Sequence, residues 1–255
     1  MMPVDVKASV QRQFGSVAEE YAASVVHAQG ADLGQMVTLA ALTGSETVLD
    51  AGCGAGHTAL AFAPRSARVI AYDLTETMLT QVERLANERG LTNLETRLGD
   101  VEALPFEDAS FNLVVTRYSA HHWPNPEAAL REFRRVVKPN GRVLMGDIVA
   151  PDAPAADTFL QTLELVRDIS HVRDHSTKQW LEMFARTGFA AEVAFTWRLP
   201  LKFEAWVKRI GTPAPYVAIL QQLMTDAPAE AHAYFEIQPD FTFTLDGALL
   251  MAAPV

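Results

Sequence analysis

The sequence contains a single cysteine, Cys53, among its 255 residues. One thiol cannot form an internal disulfide, and it cannot supply the several cysteines of a structural zinc site. Its position between two glycines favours a small buried side chain over a reactive nucleophile. The sequence therefore gives no indication of disulfide, zinc-cysteine or redox chemistry.

Long apolar runs are also absent, although 49% of the residues are hydrophobic and suffice for a full core. No stretch approaches the roughly 20 consecutive apolar residues of a membrane-spanning helix. The N-terminal segment MMPVDVKASVQRQ lacks the apolar core of a signal peptide. We therefore expect a soluble cytoplasmic protein without an integral membrane segment, and the sequence leaves its oligomeric state open.

Positive charge is scarce, because 21 lysines and arginines face 31 aspartates and glutamates, for a formal net charge of −10. An enzyme that acts on DNA or RNA needs a basic footprint for the phosphates. We therefore expect no nucleic-acid partner, and the charge favours a small molecule as substrate.

Strand-like and helix-like segments alternate from Thr47 onwards. Such alternation predicts an α/β fold with a parallel sheet and right-handed crossover connections. The strand-like segments are 47–51, 67–73, 93–100, 111–119, 141–150, 189–200 and 241–253, and the helix-like segments between them include 76–90, 126–138 and 154–187.

The most informative segment is Val48-Leu49-Asp50-Ala51-Gly52-Cys53-Gly54-Ala55-Gly56, in which an apolar strand ends at an acid and runs into a glycine-rich loop. A helix-like pattern follows this loop. Glycine lets the backbone approach a ligand closely, and a helix N-terminus offers free N–H groups. The segment predicts a nucleotide-binding turn in which Gly52, Cys53 and Gly54 lie against the ligand.

Two side chains beside the loop indicate which nucleotide ligand it suits. A dinucleotide fingerprint has glycine at the sixth position of G-x-G-x-x-G, where this chain has His57. Asp50 would repel a pyrophosphate, but it suits a ligand with a sulfonium, an ammonium and only one carboxylate. S-adenosyl-L-methionine is such a ligand, with S-adenosyl-L-homocysteine as its demethylated product. We expect His57 to meet the carboxylate end of this cofactor.

The string D-x-G-x-G-x-G after an apolar strand resembles the first motif of class I S-adenosylmethionine-dependent methyltransferases. The stretch LPFEDASFNLVV resembles the L-P-F-x-D-x-S-F-D pattern of their type-11 group, which includes ubiquinone and menaquinone C-methyltransferases. Asn112 stands where that group usually has Asp. The similarity is close over 47–149 and weaker in Phe14-x-x-x-Ala18-x-x-Tyr21.

This resemblance implies a Rossmann-like fold with a seven-stranded, mostly parallel, doubly wound sheet whose last two strands form a hairpin. It also implies that Tyr21 closes over the methionine end of the cofactor. Apolar residues recur at helical spacing over 5–42, with Gly30 as a break, and again over 202–235. We expect a single domain over 1–255, with a helical N-terminal cap (1–43), a cofactor-binding core (44–150) and a C-terminal half (151–255) that carries a helical lid insertion at about 200–238.

The ends of the second and third predicted strands mark further cofactor contacts. Asp73 ends the second strand, at the sheet edge where a carboxylate can accept both ribose hydroxyls, although it would also suit a helix cap. By the resemblance, Asp100 accepts a hydrogen bond from the adenine amino group, and the backbone N–H of Val101 meets a ring nitrogen. Leu74 and Met78 are candidates to sandwich the adenine, although apolar residues at this spacing also suit the core.

The segment Arg117-Tyr-Ser-Ala-His-His-Trp follows the fourth predicted strand, beside the transferred methyl group. We expect the backbone carbonyl of Arg117 to face the cofactor's ammonium and its side chain to orient an anionic group. His121 and His122 resemble the family's h-H-[FW] motif, and either could act as a general base or hold the loop. His171 and His175 are further candidates at the cleft. Scattered histidines without clustered carboxylates predict no metal site.

The sequence thus predicts methyl transfer from S-adenosyl-L-methionine to a small apolar or aromatic molecule, by direct in-line displacement. An NAD-dependent oxidoreductase shares the βαβ unit, but Asp50 and His57 argue against it. A non-catalytic adenosylmethionine-binding protein would keep Asp50, Asp73 and Asp100, and the sequence does not exclude it. The acceptor, and whether its O, N, C or S atom is methylated, are left open.

Overall fold

The computed structural model contains one seven-stranded sheet with the strand order β3-β2-β1-β4-β5-β7-β6. It describes residues 5–23, 28 and 30–255, so the predicted helical cap extends in part over residues outside the described ones, at 1–4, 24–27 and 29. The strands are β1 (Thr47–Ala51), β2 (Arg68–Asp73), β3 (Leu94–Leu98), β4 (Phe111–Arg117), β5 (Val137–Ile148), β6 (Phe189–Leu201) and β7 (Phe243–Pro254).

Helices connect these strands and cover both faces of the sheet. The helices of the described residues are α1 (Val6–Gly15), α2 (Ala18–Ala22), α3 (Ala31–Ala40), α4 (His57–Phe62), α5 (Glu76–Glu88), α6 (Pro126–Val136), α7 (Pro154–Arg167), α8 (Thr177–Arg186), α9 (Phe203–Ile210), α10 (Ala214–Thr225) and α11 (Ala229–Tyr234), with short 3₁₀ turns at Ala63–Arg65 and Ala120–His122. None of these helices is both long and apolar enough to cross a membrane.

The sheet is parallel except at β7, which runs antiparallel to both β5 and β6. The predicted mostly parallel sheet with a closing hairpin is therefore confirmed. The chain builds outwards from β1, with β2 and β3 on one side and β4 and β5 on the other. Open α/β sheets bind ligands where the strand order reverses in this way, at the carboxyl ends of the strands.

The central strands are buried along most of their length because helices cover both faces. Val48 and Leu49 of β1 and Val114 and Val115 of β4 have no solvent exposure. Continuous apolar runs of this kind are typical of strands buried on both faces. They give the loops at the carboxyl edge a rigid base.

Helix α6 shows how local sequence sets an element boundary. The side chain of Asn125 accepts a hydrogen bond from the Ala128 N–H. Pro126 occupies the first turn, where a backbone N–H would have no acceptor within the helix, so its missing N–H costs nothing. The helix ends at Val136, and β5 begins at the next residue. The prediction of a helix to 138 and a strand from 141 placed this boundary too late.

Asn112 contacts residues at the beginnings of three strands. Its Oδ1 accepts hydrogen bonds from the Lys138 Nζ at 2.9 Å and from the Thr47 N–H at 3.1 Å. The side chain therefore joins the beginnings of β1, β4 and β5. A neutral amide performs this task at the position where the type-11 pattern usually has an aspartate.

The predicted insertion forms three helices, α9 to α11, between β6 and β7. They pack against α7 in a cluster that includes Trp206, Leu220, Phe235 and Phe159. The insertion thus places helices above the edge of the sheet at which the parallel strands have their carboxyl ends.

The first helix reaches two distant parts of the chain. Gln13 donates through Nε2 to the Ile210 carbonyl at the end of α9, at 2.5 Å. Gln11 donates to the Leu74 carbonyl after β2, at 3.0 Å. Helix α1 therefore connects the insertion with the nucleotide-binding edge of the sheet.

Candidate active site

The glycine loop after β1 packs too tightly for side chains at two of its positions. A Cβ atom on Gly52 would lie 2.1 Å from Ser119 Oγ, and one on Gly56 would lie 2.7 Å from a methyl carbon of Val82. Both glycines also have positive φ angles, 73° and 85°, which other residues rarely adopt. The loop is therefore held against the segment after β4 and against helix α5.

Asp50 lies beneath this loop. Its carboxylate is 1% exposed, and its Oδ2 accepts a hydrogen bond from the Ala59 N–H in the first turn of α4, at 2.8 Å. Burial, together with the nearby Asp73, raises the pKa of Asp50 to about 7. We predicted that Asp50 faces the positive charges of the cofactor. It lies behind the loop and does not line the cleft, so a direct contact stays a prediction.

A cleft, called the main cleft below, opens above the loop at the carboxyl ends of β1 to β4. The other predicted cofactor-binding residues all line it, and they come from the N-terminal helices and from four strand ends. They are Tyr21, Gly52, Cys53, Gly54, His57, Asp73, Leu74, Met78, Asp100, Val101 and Arg117.

Asp73 connects the end of β2 with the glycine loop. Its Oδ2 accepts the Gly54 N–H at 2.8 Å, and its Oδ1 accepts the Thr75 N–H at 2.9 Å. The N-cap residue of helix α5 is Thr75. The alternative that Asp73 is the N-cap residue of this helix is therefore wrong. Burial raises the pKa of Asp73. Each carboxylate oxygen keeps a lone pair for a further donor in the cleft.

Lys7 of α1 binds Asp100 at the end of the cleft near β3. Its Nζ lies 2.5 Å from Asp100 Oδ2 and 2.7 Å from Glu102 Oε2. Although burial opposes it, the hydrogen bonds to these two carboxylates raise the pKa of Lys7. A Cβ on Gly99 would lie 2.0 Å from the Tyr72 hydroxyl, which explains the glycine before Asp100.

Tyr21 and His57 meet at the opposite end of the main cleft. His57 Nε2 lies 2.9 Å from the Tyr21 carbonyl oxygen. Burial lowers the pKa of His57, so the ring is neutral at physiological pH. The ring of Phe14 packs edge-on against Tyr21, with centroids 5.3 Å apart. Helices α1 and α2 therefore cover the glycine loop.

Arg117 is held by α3. Its Nε donates to Asp32 Oδ2 at 2.5 Å, and both side chains are less than a tenth exposed. The guanidinium carbon also lies 4.6 Å from the centroid of the Tyr118 ring. The side chain that we predicted to orient an anionic group already has an anionic partner in the protein.

His121 forms a pair with Asp147, a residue that the sequence reasoning missed. His121 Nδ1 lies 2.8 Å from Asp147 Oδ1. Asp147 is buried and also accepts the N–H groups of Ala120 and Ile148, at 2.9 and 2.8 Å. Burial alone would lower the pKa of His121, but the Asp147 carboxylate outweighs it and raises the pKa to about 9. His121 is therefore an imidazolium at neutral pH.

His122 has the opposite electrostatic character. Burial, and next the charge of His121, lower its pKa to about 4. Its Nδ1 lies 3.1 Å from the Ser170 carbonyl. Because a carbonyl can only accept, Nδ1 carries the proton of the neutral ring and Nε2 keeps a lone pair. The ring also packs edge-on against Phe14, with centroids 4.9 Å apart.

A second pocket adjoins the main cleft on the side of the insertion. Four residues line both spaces, namely Phe14, Tyr21, Tyr118 and His122. His121 lines only the second pocket. Of the two predicted catalytic histidines, His122 therefore lies at the boundary between the two spaces, and His121 lies beyond it, in the second pocket.

The other two histidine candidates line neither the main cleft nor the second pocket, although the ring of His171 lies 5.7 Å from that of His121. His171 Nε2 lies 3.2 Å from Gln161 Oε1, and burial lowers the pKa of His171 to about 2. His175 packs edge-on against Trp180, with ring centroids 5.1 Å apart. Neither lines the cleft or the pocket, so the prediction that they lie at the cleft is wrong.

His121, Asp147 and Asp174 each offer one ligand atom, and these atoms lie within 4.8 Å of one another. The sequence argument that histidines and carboxylates do not cluster is therefore wrong for these three residues. In the structure, a hydrogen bond already joins His121 to Asp147. The expectation of no metal site stays a prediction.

The position of Asp147 could have been found from the sequence. It lies near the end of the fifth strand, GRVLMGDI, at the same sheet edge as Asp50 and Asp73. Lys7 and Arg209, which also line the site, have no local pattern that marks them.

Known proteins show clear similarity to this chain. A family model described as a methyltransferase domain matches residues 49–145. The uncharacterized methyltransferase YcgJ of Bacillus subtilis is 40% identical, over 91% of this chain and 90% of the relative. A crystal structure of YcgJ has a TM-score of 0.84 at 37% identity, covering 87% of this chain and 97% of that one.

Two further solved structures share the architecture. A putative methyltransferase of Bacillus halodurans has a TM-score of 0.85 at 34% identity, covering 89% of this chain and all 100% of that one. The geranyl diphosphate C-methyltransferase of Streptomyces coelicolor, in complex with Mg²⁺, geranyl diphosphate and S-adenosyl-L-homocysteine, has a TM-score of 0.62 at 18% identity, covering 89% and 79%. This last similarity shows the common fold alone.

Proposed function

The chain belongs to the type-11 family of S-adenosyl-L-methionine-dependent methyltransferases, and we propose that it methylates a small apolar or aromatic molecule by direct in-line displacement. The observation that carries this proposal is the position of His122. Its side chain lines both the main cleft and the second pocket. A neutral imidazole thus lies where a cofactor in one space and an acceptor in the other would meet.

The residues of the main cleft fit an adenosyl cofactor. The carboxylates of Asp73 and Asp100 lie in its lining, at the ends of neighbouring strands, and can accept hydrogen bonds from hydroxyl and amino groups. A Cβ added to Gly54 would meet nothing within 4 Å, so the loop leaves open space there. When bound, S-adenosyl-L-methionine supplies an electrophilic methyl group.

Each part of the cleft has a separate binding role in this proposal. Asp73 accepts the ribose hydroxyls. Asp100 and the N–H of Val101 bind the adenine, with Leu74 and Met78 against its faces.

At the other end, Tyr21 and His57 enclose the methionine part of the cofactor, beside Gly52, Cys53 and Gly54 of the loop. The Arg117 carbonyl faces the ammonium group. Asp50 acts from beneath by holding the first turn of α4 in place, as its contact with Ala59 supports.

His122 acts as the general base in the proposed reaction. Its Nε2 takes the proton that the acceptor loses when its oxygen, nitrogen or carbon atom is methylated. A pKa of about 4 keeps the imidazole neutral at physiological pH. His121, fixed by Asp147, holds the loop and lines the acceptor side.

The N-terminal cap and the insertion form a cover over this site. Methyl transfer benefits from the exclusion of water, and helices from both regions line the spaces in which it would occur. The hydrogen bond from Gln13 to Ile210 joins the cap to the insertion, and the bond from Lys7 to Asp100 joins the cap to the cofactor-binding core. In this proposal the chain is one domain, with 44–150 as the cofactor-binding core between two covering parts.

A small acceptor also fits the charge of the chain. The formal net charge of −10 is unfavourable for a nucleic-acid substrate, so the proposal excludes one. A cytoplasmic location is part of the same proposal.

Calorimetry on the full chain tests the proposal. We expect S-adenosyl-L-homocysteine to bind with a micromolar Kd, about −8 kcal/mol, and NAD⁺ not to bind at millimolar concentration. The absence of heat with S-adenosyl-L-homocysteine would reject the proposal, and tight NAD⁺ binding would favour an oxidoreductase. Turnover with a panel of phenols, quinones, amines and carboxylic acids then separates an enzyme from a non-catalytic binding protein.

A further inference from the structure

Arg209, near the end of α9, points its side chain into the lining of the second pocket. Its Nε is buried and has no hydrogen-bond partner among the described residues. Among the described residues, Arg209 also forms no ion pair within 4.0 Å with an acidic side chain. Burial and the neighbouring Arg167 lower the pKa of Arg209, while the Tyr21 side chain, which hydrogen-bonds to it, opposes that effect.

The other cation from this part of the pocket is already paired. Arg167 Nη1 lies 3.0 Å from Glu164 Oε2, and both side chains are about a tenth exposed. The guanidinium of Arg167 also lies 4.8 Å from the centroid of the Trp206 ring. Arg167 therefore needs no further anion.

The acidic residues of the pocket form no ion pair with Arg209 among the described residues, although the charge of Glu164, which is paired with Arg167, raises the pKa of Arg209. Asp168 Oδ1 accepts the N–H and the hydroxyl of Ser170, at 2.8 and 2.7 Å. Burial raises the pKa of Asp174 well above its usual range, which favours the uncharged form of this side chain. A partly buried cation without an ion-pair partner carries a desolvation cost, and an incoming anion offsets that cost.

The rest of the lining is apolar. Ile148, Leu199, Leu201, Trp206 and Leu245 contribute hydrocarbon or aromatic surface to the same pocket. A molecule that fills this space therefore combines an apolar body with one group that pairs with Arg209. Because Glu164 and Asp168 are close to the pocket, a second negative charge on that molecule would be repelled.

We propose that Arg209, with the Tyr21 hydroxyl, binds a single anionic group of the methyl acceptor, so that the acceptor is an apolar acid of the carboxylate or phenolate class. This inference rests on the proposed function, because it assigns the second pocket to the acceptor. Tyr21 lines both the pocket and the main cleft. An anion at Arg209 therefore contacts the same residue that covers the cofactor.

The test measures binding of three matched eight-carbon probes, octanoate, 1-octanol and octylamine, to the full chain saturated with S-adenosyl-L-homocysteine. We expect octanoate to bind at least about tenfold more tightly than the alcohol and octylamine to bind more weakly still, because a hydrogen-bonded ion pair discriminates by about this factor. Arg209→Met should remove the preference for octanoate and leave binding of 1-octanol unchanged.

Two further variants control this result. Lys208 precedes Arg209 on the same helix and is exposed, so Lys208→Met should leave the binding of all three probes unchanged. Arg209→Lys keeps the charge and should retain part of the preference for octanoate. Equal affinity of the wild-type chain for octanoate and octanol, or unchanged octanoate binding in a folded Arg209→Met, would overturn the proposal.

A titration of octanoate without the nucleoside separates this inference from the proposed function. If S-adenosyl-L-homocysteine does not bind but octanoate still binds in an Arg209-dependent manner, the anion site is supported. The assignment of the second pocket to a methyl acceptor is then rejected. If S-adenosyl-L-homocysteine binds and octanoate binding does not depend on Arg209, the cofactor site stands and the acidic acceptor is rejected.

Discussion

Lys7 Nζ lies 2.5 Å from Asp100 Oδ2, the carboxylate assigned to the adenine. This ion pair joins the first helix to the end of the third strand, 93 residues later in the chain. Because Lys7 is one-third exposed, the pair contributes on the order of 1 kcal/mol or less. Since the pair joins a covering helix to the cleft, we expect it to slow the opening of the cleft by a correspondingly small factor.

Lys7→Met should raise the dissociation rate of S-adenosyl-L-homocysteine by about three- to fivefold, the factor that corresponds to an ion pair of about 0.6–1 kcal/mol. Stopped-flow measurements with the wild-type chain and the variant check this result. Lys178→Met, which changes a lysine that does not line the cleft, is the control. An unchanged dissociation rate in Lys7→Met would show that the ion pair does not hold the cleft closed.

Asp73→Ala should weaken cofactor binding by about one to two orders of magnitude, because charge-assisted hydrogen bonds to the ribose are lost. The substitution also removes the bonds from Gly54 and Thr75. Calorimetry therefore has to be combined with a thermal melt. A lower Tm together with unchanged affinity would show that Asp73 only stabilises the loop, and Asp226→Ala, at an exposed position, serves as control.

His122→Gln should lower kcat by about 10²-fold on an identified acceptor while leaving cofactor affinity nearly unchanged. The physical reason is the loss of the lone pair on Nε2 at the boundary of the two spaces. In the wild-type chain, kcat should fall as the pH drops through about 4 to 5, since the pKa of His122 is about 4. Near-full turnover of His122→Gln would mean that alignment alone drives the transfer.

The pair of His121 and Asp147 should make stability depend on pH in the alkaline range. The pKa of His121 is about 9 in the folded chain, above the usual value of about 6.5. The pair therefore stabilises fully below about pH 6.5, and this stabilisation is lost as the pH rises through about 9. Between pH 6 and 10, the free energy of unfolding should fall more in the wild type than in His121→Gln, by on the order of 3 kcal/mol.

Urea unfolding at several pH values provides this comparison. His232→Gln, a substitution outside the lining of both spaces, should leave the pH dependence as in the wild type. Parallel pH curves for the wild type and His121→Gln would contradict the assigned electrostatics.

Cofactor and acceptor together should increase hydrogen-exchange protection in residues 10–23 and 203–226. These segments supply Phe14, Tyr21 and Arg209 to the lining of the two spaces. Ligand contacts hold such covering elements closed more of the time. Segment 126–136, on α6, is the internal reference, and equal protection of the covering segments with and without ligands would reject a cover that closes.

The sequence predicted the strand ends well because their signals are local. An apolar run that stops at Asp50 or Asp73 identifies a buried strand and its carboxyl end in a few residues. The parallel arrangement then follows from the alternation with helices. Asp147 obeys the same rule, and the strand-end argument applies to it equally.

Contacts between distant segments were beyond sequence reasoning. The pairs Lys7–Asp100 and Arg117–Asp32 bring together residues 93 and 85 positions apart, and no spacing rule links them. The same holds for the inward position of Asp50, which depends on how α4 packs above β1. Arg209 lies on a helix whose burial depends on the packing of the whole insertion.

The hydrogen bond from Gln13 to the Ile210 carbonyl has a kinetic consequence. It joins α1, which lines the main cleft, to α9, which carries Arg209 of the second pocket, so we expect the two helices to move away from the two spaces together. Joint movement of the two helices would make departure of S-adenosyl-L-homocysteine and departure of the methylated product depend on the same opening event. Product inhibition patterns should therefore show one common release step, with a rate that Gln13→Ala increases for both products alike.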